Sequence, residues 1–208
     1  MKRLALIAVL AHLAAPLPVA AGTMQEALDA YAAGHAADAA RIYNELAVAG
    51  NGRAQFNLAL MFYAGEGVPQ SYPDAFNWAW RAKLQGVQQS EALLERVTPA
   101  IPNADRQTLA DALFAELQPR VDNGDGRAMM AMSIINTDLL PRPDPVSAYV
   151  WQSMAATVGL EGASVFRART FDALSDKDQA KAQSAAREAF AAWCGTTTIT
   201  FAGCGVLQ

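Results

Sequence analysis

The feature that most constrains this 208-residue chain is that it repeats itself. Asp38, Ala39 and Gly50 recur 36 positions later as Asp74, Ala75 and Gly86. Gly52, Arg53 and Ala54 recur 74 positions later as Gly126, Arg127 and Ala128. From Ala75 onward the offset is 73: Ala75/Ala148, Trp78/Trp151, Ala82/Ala155, Gly86/Gly159, Arg96/Arg169 and Asp105/Asp178. Units of about 36 residues, two to a duplicated block, are the signature of a repeat array, in which each unit buries its apolar faces against its neighbours.

Each unit reads as two helices. In "AQFNLALMFY", Ala54, Leu58 and Met61 form one stripe and Phe56, Leu60 and Tyr63 another. In "DAFNWAWRAKLQ", Ala75, Trp78, Ala79 and Ala82 form a stripe, with Phe76, Trp80 and Leu84 elsewhere. A helix apolar on more than one side has neighbours on more than one side. Helix pairs are expected over 24–50, 51–86, 87–124, 125–159 and 160–194, with Pro99, Pro102, Pro141, Pro143 and Pro145 at the joints. The last helix carries Ala182, Ala185, Ala186, Ala189, Phe190 and Trp193 on one face and Lys177, Lys181, Arg187 and Glu188 on the other. A polar outer side suits the terminal cap of a solenoid.

The segment "NGRAQFNLALMFYAGEGVPQSYPDAFNWAWRAKLQG" resembles the Sel1-like repeat, a relative of the tetratricopeptide repeat. Ala54, Gln55, Asn57, Leu58, Met61, Gly65, Gly67, Val68, Ala75, Trp78, Ala82 and Gly86 carry the match; Phe56 and Phe62 replace tyrosines and Ala59 a glycine. The copy at 125–159 keeps its alanines, Trp151 and Gly159, but "DLLPRPDP" replaces the glycine turn, so its corner is expected to differ. The resemblance implies an all-α, right-handed α-solenoid of about five antiparallel helix pairs. It makes Trp78, Trp151, Gly65, Gly67, Gly86 and Gly159 structural.

The two glycines in "MFYAGEGVPQ" therefore read as a corner. Gly65 is placed to cap a helix ending near Tyr63, Gly67 to admit a close backbone approach, and Pro69 to stop the helix. A phosphate-binding glycine loop would want a preceding strand and a nearby base; here there are a helix and Glu66.

The first 21 residues, Lys2 and Arg3 before "LALIAVLAHLAA" and "PVAA", read as a secretory signal peptide with cleavage after Ala21. Pro16 and Pro18 interrupt the run before it reaches the length of a membrane span. The expected organisation is a leader at 1–21, a repeat domain at 22–194 and a tail at 195–208, in the periplasm or secreted. Net charge is −4. Removing the leader's two cations makes the balance more acidic, which offers no footprint for nucleic acid. Cys194 and Cys204, so close in an exported chain, read as a disulfide that staples the tail. The tail's Thr197, Ile199 and Phe201 could add an edge to a partner or tuck onto the last helix.

No catalytic constellation, metal site or cofactor motif stands out. Outside the leader the only histidine is His35, in the joint "AAGHAAD", where a turn or cap role fits. "DNGDGRA" resembles a calcium loop only briefly, since Val121 and Met132 fall at its ligand positions. Glu66, Asp74, Asp105 and Asp178 suit helix caps and N-terminal charges. The candidate partner-binding residues are Trp80, Gln55, Asn57 and Phe76, with Trp80 either an exposed anchor or core. Gln55 and Asn57 belong to the repeat pattern, so structural roles are equally open. The reading is an exported, non-catalytic scaffold that binds a protein or peptide partner. The alternative is a periplasmic hydrolase or a binding protein for small, cell-wall-type ligands. Relatives with such ligands pair cysteines within their repeats, whereas here there is one terminal pair.

Overall fold

The computed structural model describes residues 22–197 and 199–206; the expected leader and its cut after Ala21 lie outside them. Ten α-helices follow in order: α1 (Met24–Ala32), α2 (Ala36–Val48), α3 (Gly52–Ala64), α4 (Tyr72–Leu84), α5 (Ser90–Val97), α6 (Asn103–Asp122), α7 (Gly126–Ile134), α8 (Pro145–Thr157), α9 (Ala163–Ala173) and α10 (Asp176–Thr196). In chain order they fall at the five positions the repeats indicate, though α9 and α10 each pack on α8, and no strand occurs among the described residues. The chain is an all-helical repeat protein.

Local sequence sets the boundaries. Thr23 and Glu26 form a reciprocal capping box at α1. Asn51 Oδ1 accepts from Ala54 N–H at α3, and Asp125 Oδ1 accepts from Arg127 and Ala128 N–H at the duplicated position of α7. Between units the second helix ends in the same 6→1 bond, Val87 N–H to Ala82 carbonyl at Gly86 and Leu160 N–H to Ala155 carbonyl at Gly159. The paired Gly52 and Gly126 mark close approaches. A Cβ on Gly52 would lie 2.7 Å from Gln85 Cβ, and one on Gly126 2.9 Å from Leu160 Cβ.

Two apolar clusters run through the stack. One joins α1, α2 and α3 through Ala27, Ala39, Tyr43, Leu58 and Met61; the other continues from α3 to α10. Trp78 and Phe62 pack against both clusters. Trp151, the duplicate of Trp78, is also partly buried against the larger one.

Three places depart from a uniform repeat. In the third pair, α5 packs on α4 and α6 on α7, with a short 3-10 turn at Thr98–Ala100 between them. In the fourth, the expected change of corner takes the form of a π-helical turn, Ile135–Leu139, that prolongs α7. The Arg106 guanidinium, on α6, donates to the Leu139 carbonyl at 2.9 Å and to the Leu140 carbonyl at 3.2 Å, capping that turn. The tail departs too: Cys194 and Cys204 form a disulfide, and Phe201 packs edge-on to Phe190 and Trp193, tucking the tail onto α10.

Candidate functional site

The structure separates the four candidate partner-binding residues. Trp80 is 4% exposed and Phe76 3%, and the two rings meet edge to face in the larger cluster. Of the two readings open for Trp80, its burial fits the core one. The α5 helix packs on α4, and its Leu93, Leu94 and Val97 share the cluster with Trp80. The Lys83 ammonium lies over the indole, 4.9 Å from its centroid. Trp78 is the tryptophan of this helix that keeps partial exposure. Gln55 is buried and donates from Nε2 to the Ala47 carbonyl at 3.0 Å, tying α3 to the end of α2. That is a structural use of the repeat's glutamine.

Asn57 has a different setting. It lines an open groove of about 320 Å³ with Leu28 and Tyr31 from α1, Tyr43 from α2, and Leu60, Met61 and Tyr63 from α3. Leu28, Tyr31 and Leu60 are each about 40% exposed, a cluster of apolar surface rather than scattered residues. Tyr63 stacks on the exposed Tyr72 at 5.7 Å, extending the aromatic surface beyond the groove.

One acidic residue lines the groove. Glu66, in the corner after α3, accepts the hydroxyl proton of Tyr31, and this bond to the carboxylate raises the phenol's pKa. The bridge joins α1 to a corner 35 residues later, and it lies outside the cap role expected for Glu66. Exposed Arg53 stands one turn before Asn57, near Tyr43. Burial pushes the Tyr43 phenol up, while the Asn57 amide and the Arg53 charge act in the opposite direction. The groove thus joins apolar and aromatic side chains with the Asn57 amide and the Glu66 carboxylate. Leu28 and Tyr31 escaped sequence reasoning because α1 lies outside the clear repeat copy, and only the fold brings it beside α3.

The remaining expectations fall as follows. His35 occupies the N-cap position of α2, but its side chain makes no cap hydrogen bond. Asp74, Asp105 and Asp178 sit in the first turns of α4, α6 and α10. The "DNGDGRA" segment is the corner before α7, with Asp125 as its cap. Among the described residues no group of histidine, cysteine or acidic side chains is gathered for a metal.

No protein-family model matches the chain, and no curated protein matches it. Solved structures similar to it include two Sel1-repeat proteins. One is a protective antigen of uropathogenic Escherichia coli strains displaying an SLR fold, at 17% identity and a TM-score of 0.34; the match covers 82% of this chain and 46% of that one. The other is a Sel1 repeat protein from Oxalobacter formigenes, at 20% identity and a TM-score of 0.24, covering 74% and 79%. The chain thus spans about half the length of the first. Both neighbours are Sel1-repeat structures, the class that the sequence resembles. The architecture described above rests on this chain's own helix pairs.

Proposed function

We propose that this chain is an exported, non-catalytic interaction scaffold that holds a peptide segment of another protein in the groove between α1 and α3. The observation that carries this reading is the gathering of Leu28, Tyr31 and Leu60, all solvent-exposed, around the Asn57 amide. Aromatic and aliphatic side chains on a rigid helical frame supply contact area at low ordering cost, and an amide beside them can fix the register of a peptide backbone. The Glu66 carboxylate suits a basic residue of the partner.

Export is supported by the leader-like sequence of residues 1–21 and by the Cys194–Cys204 disulfide, since such bonds persist in oxidising compartments. Among the described residues no helix is long and apolar enough to cross a membrane.

The test is selection from a random dodecapeptide display library on the purified protein. Selected peptides should bind the wild-type chain and lose at least tenfold in affinity on Leu60→Asp. Val165→Asp, at an exposed apolar position on α9 outside the groove, should leave binding unchanged. No enrichment, or equal binding to the Leu60→Asp variant, would sink the reading.

A further inference from the structure

A second, chemically different cleft lies at the other end of the stack. Its volume is about 220 Å³, and Tyr149, Ser153 and Thr157 from α8, Arg167 from α9, and Arg187 and Phe190 from α10 line it. Two cations face this small space, and no acidic residue lines it. Neither arginine side chain has an ion pair, a hydrogen bond or a position over an aromatic ring among the described residues.

That sets the cleft apart from two others that cations line. Arg81 and Arg120 line a larger cavity beside α4 and α6, where they pair with Glu116 and Asp125. Lys83 and Arg106 line another; Lys83 pairs with Asp138, and Arg106 is spent on backbone carbonyls. In those places the fold supplies the counter-charge from its own side chains or peptide groups. Around Arg167 and Arg187 it supplies none, in a chain whose overall balance is acidic. Two like charges brought to one cleft repel, and the arrangement is relieved when an anion enters between them.

The rest of the lining narrows the class of anion. Guanidinium groups offer planar forks of N–H donors that match the oxygens of phosphate or carboxylate. Forks from two helices, with the hydroxyls of Tyr149 and Ser153, supply more donors than one planar carboxylate can accept in one direction. The Ser153 hydroxyl oxygen is buried and without a partner. A tetrahedral group with three terminal oxygens and up to two charges fits that donor set better. Met154 and Phe190 add an apolar wall that an attached organic group could cover.

We propose that the cleft between α8, α9 and α10 binds a tetrahedral phosphate-class oxyanion, either free or as a phosphomonoester. It is independent of the peptide groove and stands or falls without it.

The experiment is calorimetric titration of the purified protein with inorganic phosphate and, separately, with phenyl phosphate, in chloride buffer of matched ionic strength. Saturable one-site binding is expected for at least one of the two. Arg167→Gln and Arg187→Gln should each weaken it at least tenfold with an unchanged far-ultraviolet spectrum, and Arg187→Lys should fall between. Lys177→Gln removes an exposed cation of α10 outside the cleft and should bind as wild type. Tighter binding of phenyl phosphate assigns the site to esters, and equal or tighter binding of inorganic phosphate assigns it to the free ion. The proposal is overturned if neither compound saturates, if both glutamine variants bind as wild type, or if Lys177→Gln loses as much as they do.

Discussion

The glycines of the corner between α3 and α4 show how much a single residue can carry. Gly65 ends α3 at φ 75°, its N–H bonded to the Met61 carbonyl, and it serves as the cap expected of it. Gly67 has φ 70° and also touches the neighbouring unit: a Cβ there would lie 2.3 Å from the Ala36 carbonyl oxygen. Gly86, at φ 84°, faces open space. Gly86→Ala should therefore cost about 1–2 kcal/mol, the penalty for an L-residue in the left-handed region. Gly67→Ala should cost more, because the start of α2 must also retreat. Urea unfolding of the two variants checks this, and equal losses would contradict it. Residues were least legible where both faces of a helix are covered. Trp78 and Trp80 stand on different sides of α4, and periodicity could not say which side α5 would cover.

At the scale of the element, helix identity and pairing were written in the repeat, and the caps mark the boundaries. Asn51 and Asp125 hold the same cap position in the two blocks, but only the second is charged. Burial pushes the Asp125 carboxyl up, but hydrogen bonds from Arg120 and from the Ala128 and Arg127 N–H groups, together with the Arg120 charge, outweigh it and lower the pKa below its ordinary 3.8. A lowered folded-state pKa means the added stability is present above about pH 4. It is lost as pH falls from 3.8 through the lowered value. Asp125→Ala should cost about 1 kcal/mol at neutral pH. Asp125→Asn should keep most of the cap while flattening the fall in stability below pH 4. Thermal melts across pH 2–7 decide it; an Asn variant with an unchanged acid limb would refute the assignment. Less legible were features joining distant elements. The Tyr31–Glu66 bridge and the Arg106 cap on the π-turn span 35 and 33 residues, beyond any local pattern. The groove shares this origin: Leu28 and Tyr31 come from α1, whose repeat signal is too worn to align.

For the whole molecule, the tail alters how the stack behaves. The indole N–H of Trp193 donates to the Val121 carbonyl at 2.9 Å, and Thr197 Oγ1 donates to the Asp122 carbonyl at 2.6 Å. Ile199 fills the space beside Gly124. The disulfide holds the strap that carries Thr197 and Ile199, closing a loop with a sequence separation of 10. Replacing both cysteines by serine should lower stability by roughly 2–3 kcal/mol on the chain-entropy account. Guanidinium unfolding with and without reductant measures it; no change in either comparison would remove the staple's role. A stack of units that touch only their neighbours can be peeled from either end. Here the last helix is fastened 72 residues back, to the end of α6, past the whole fourth pair. Under tension the molecule has only one free end to unzip: α1 and α2 should come away first, and the C-terminal half should give way as a single block, like a strap whose buckle must open before any link slips.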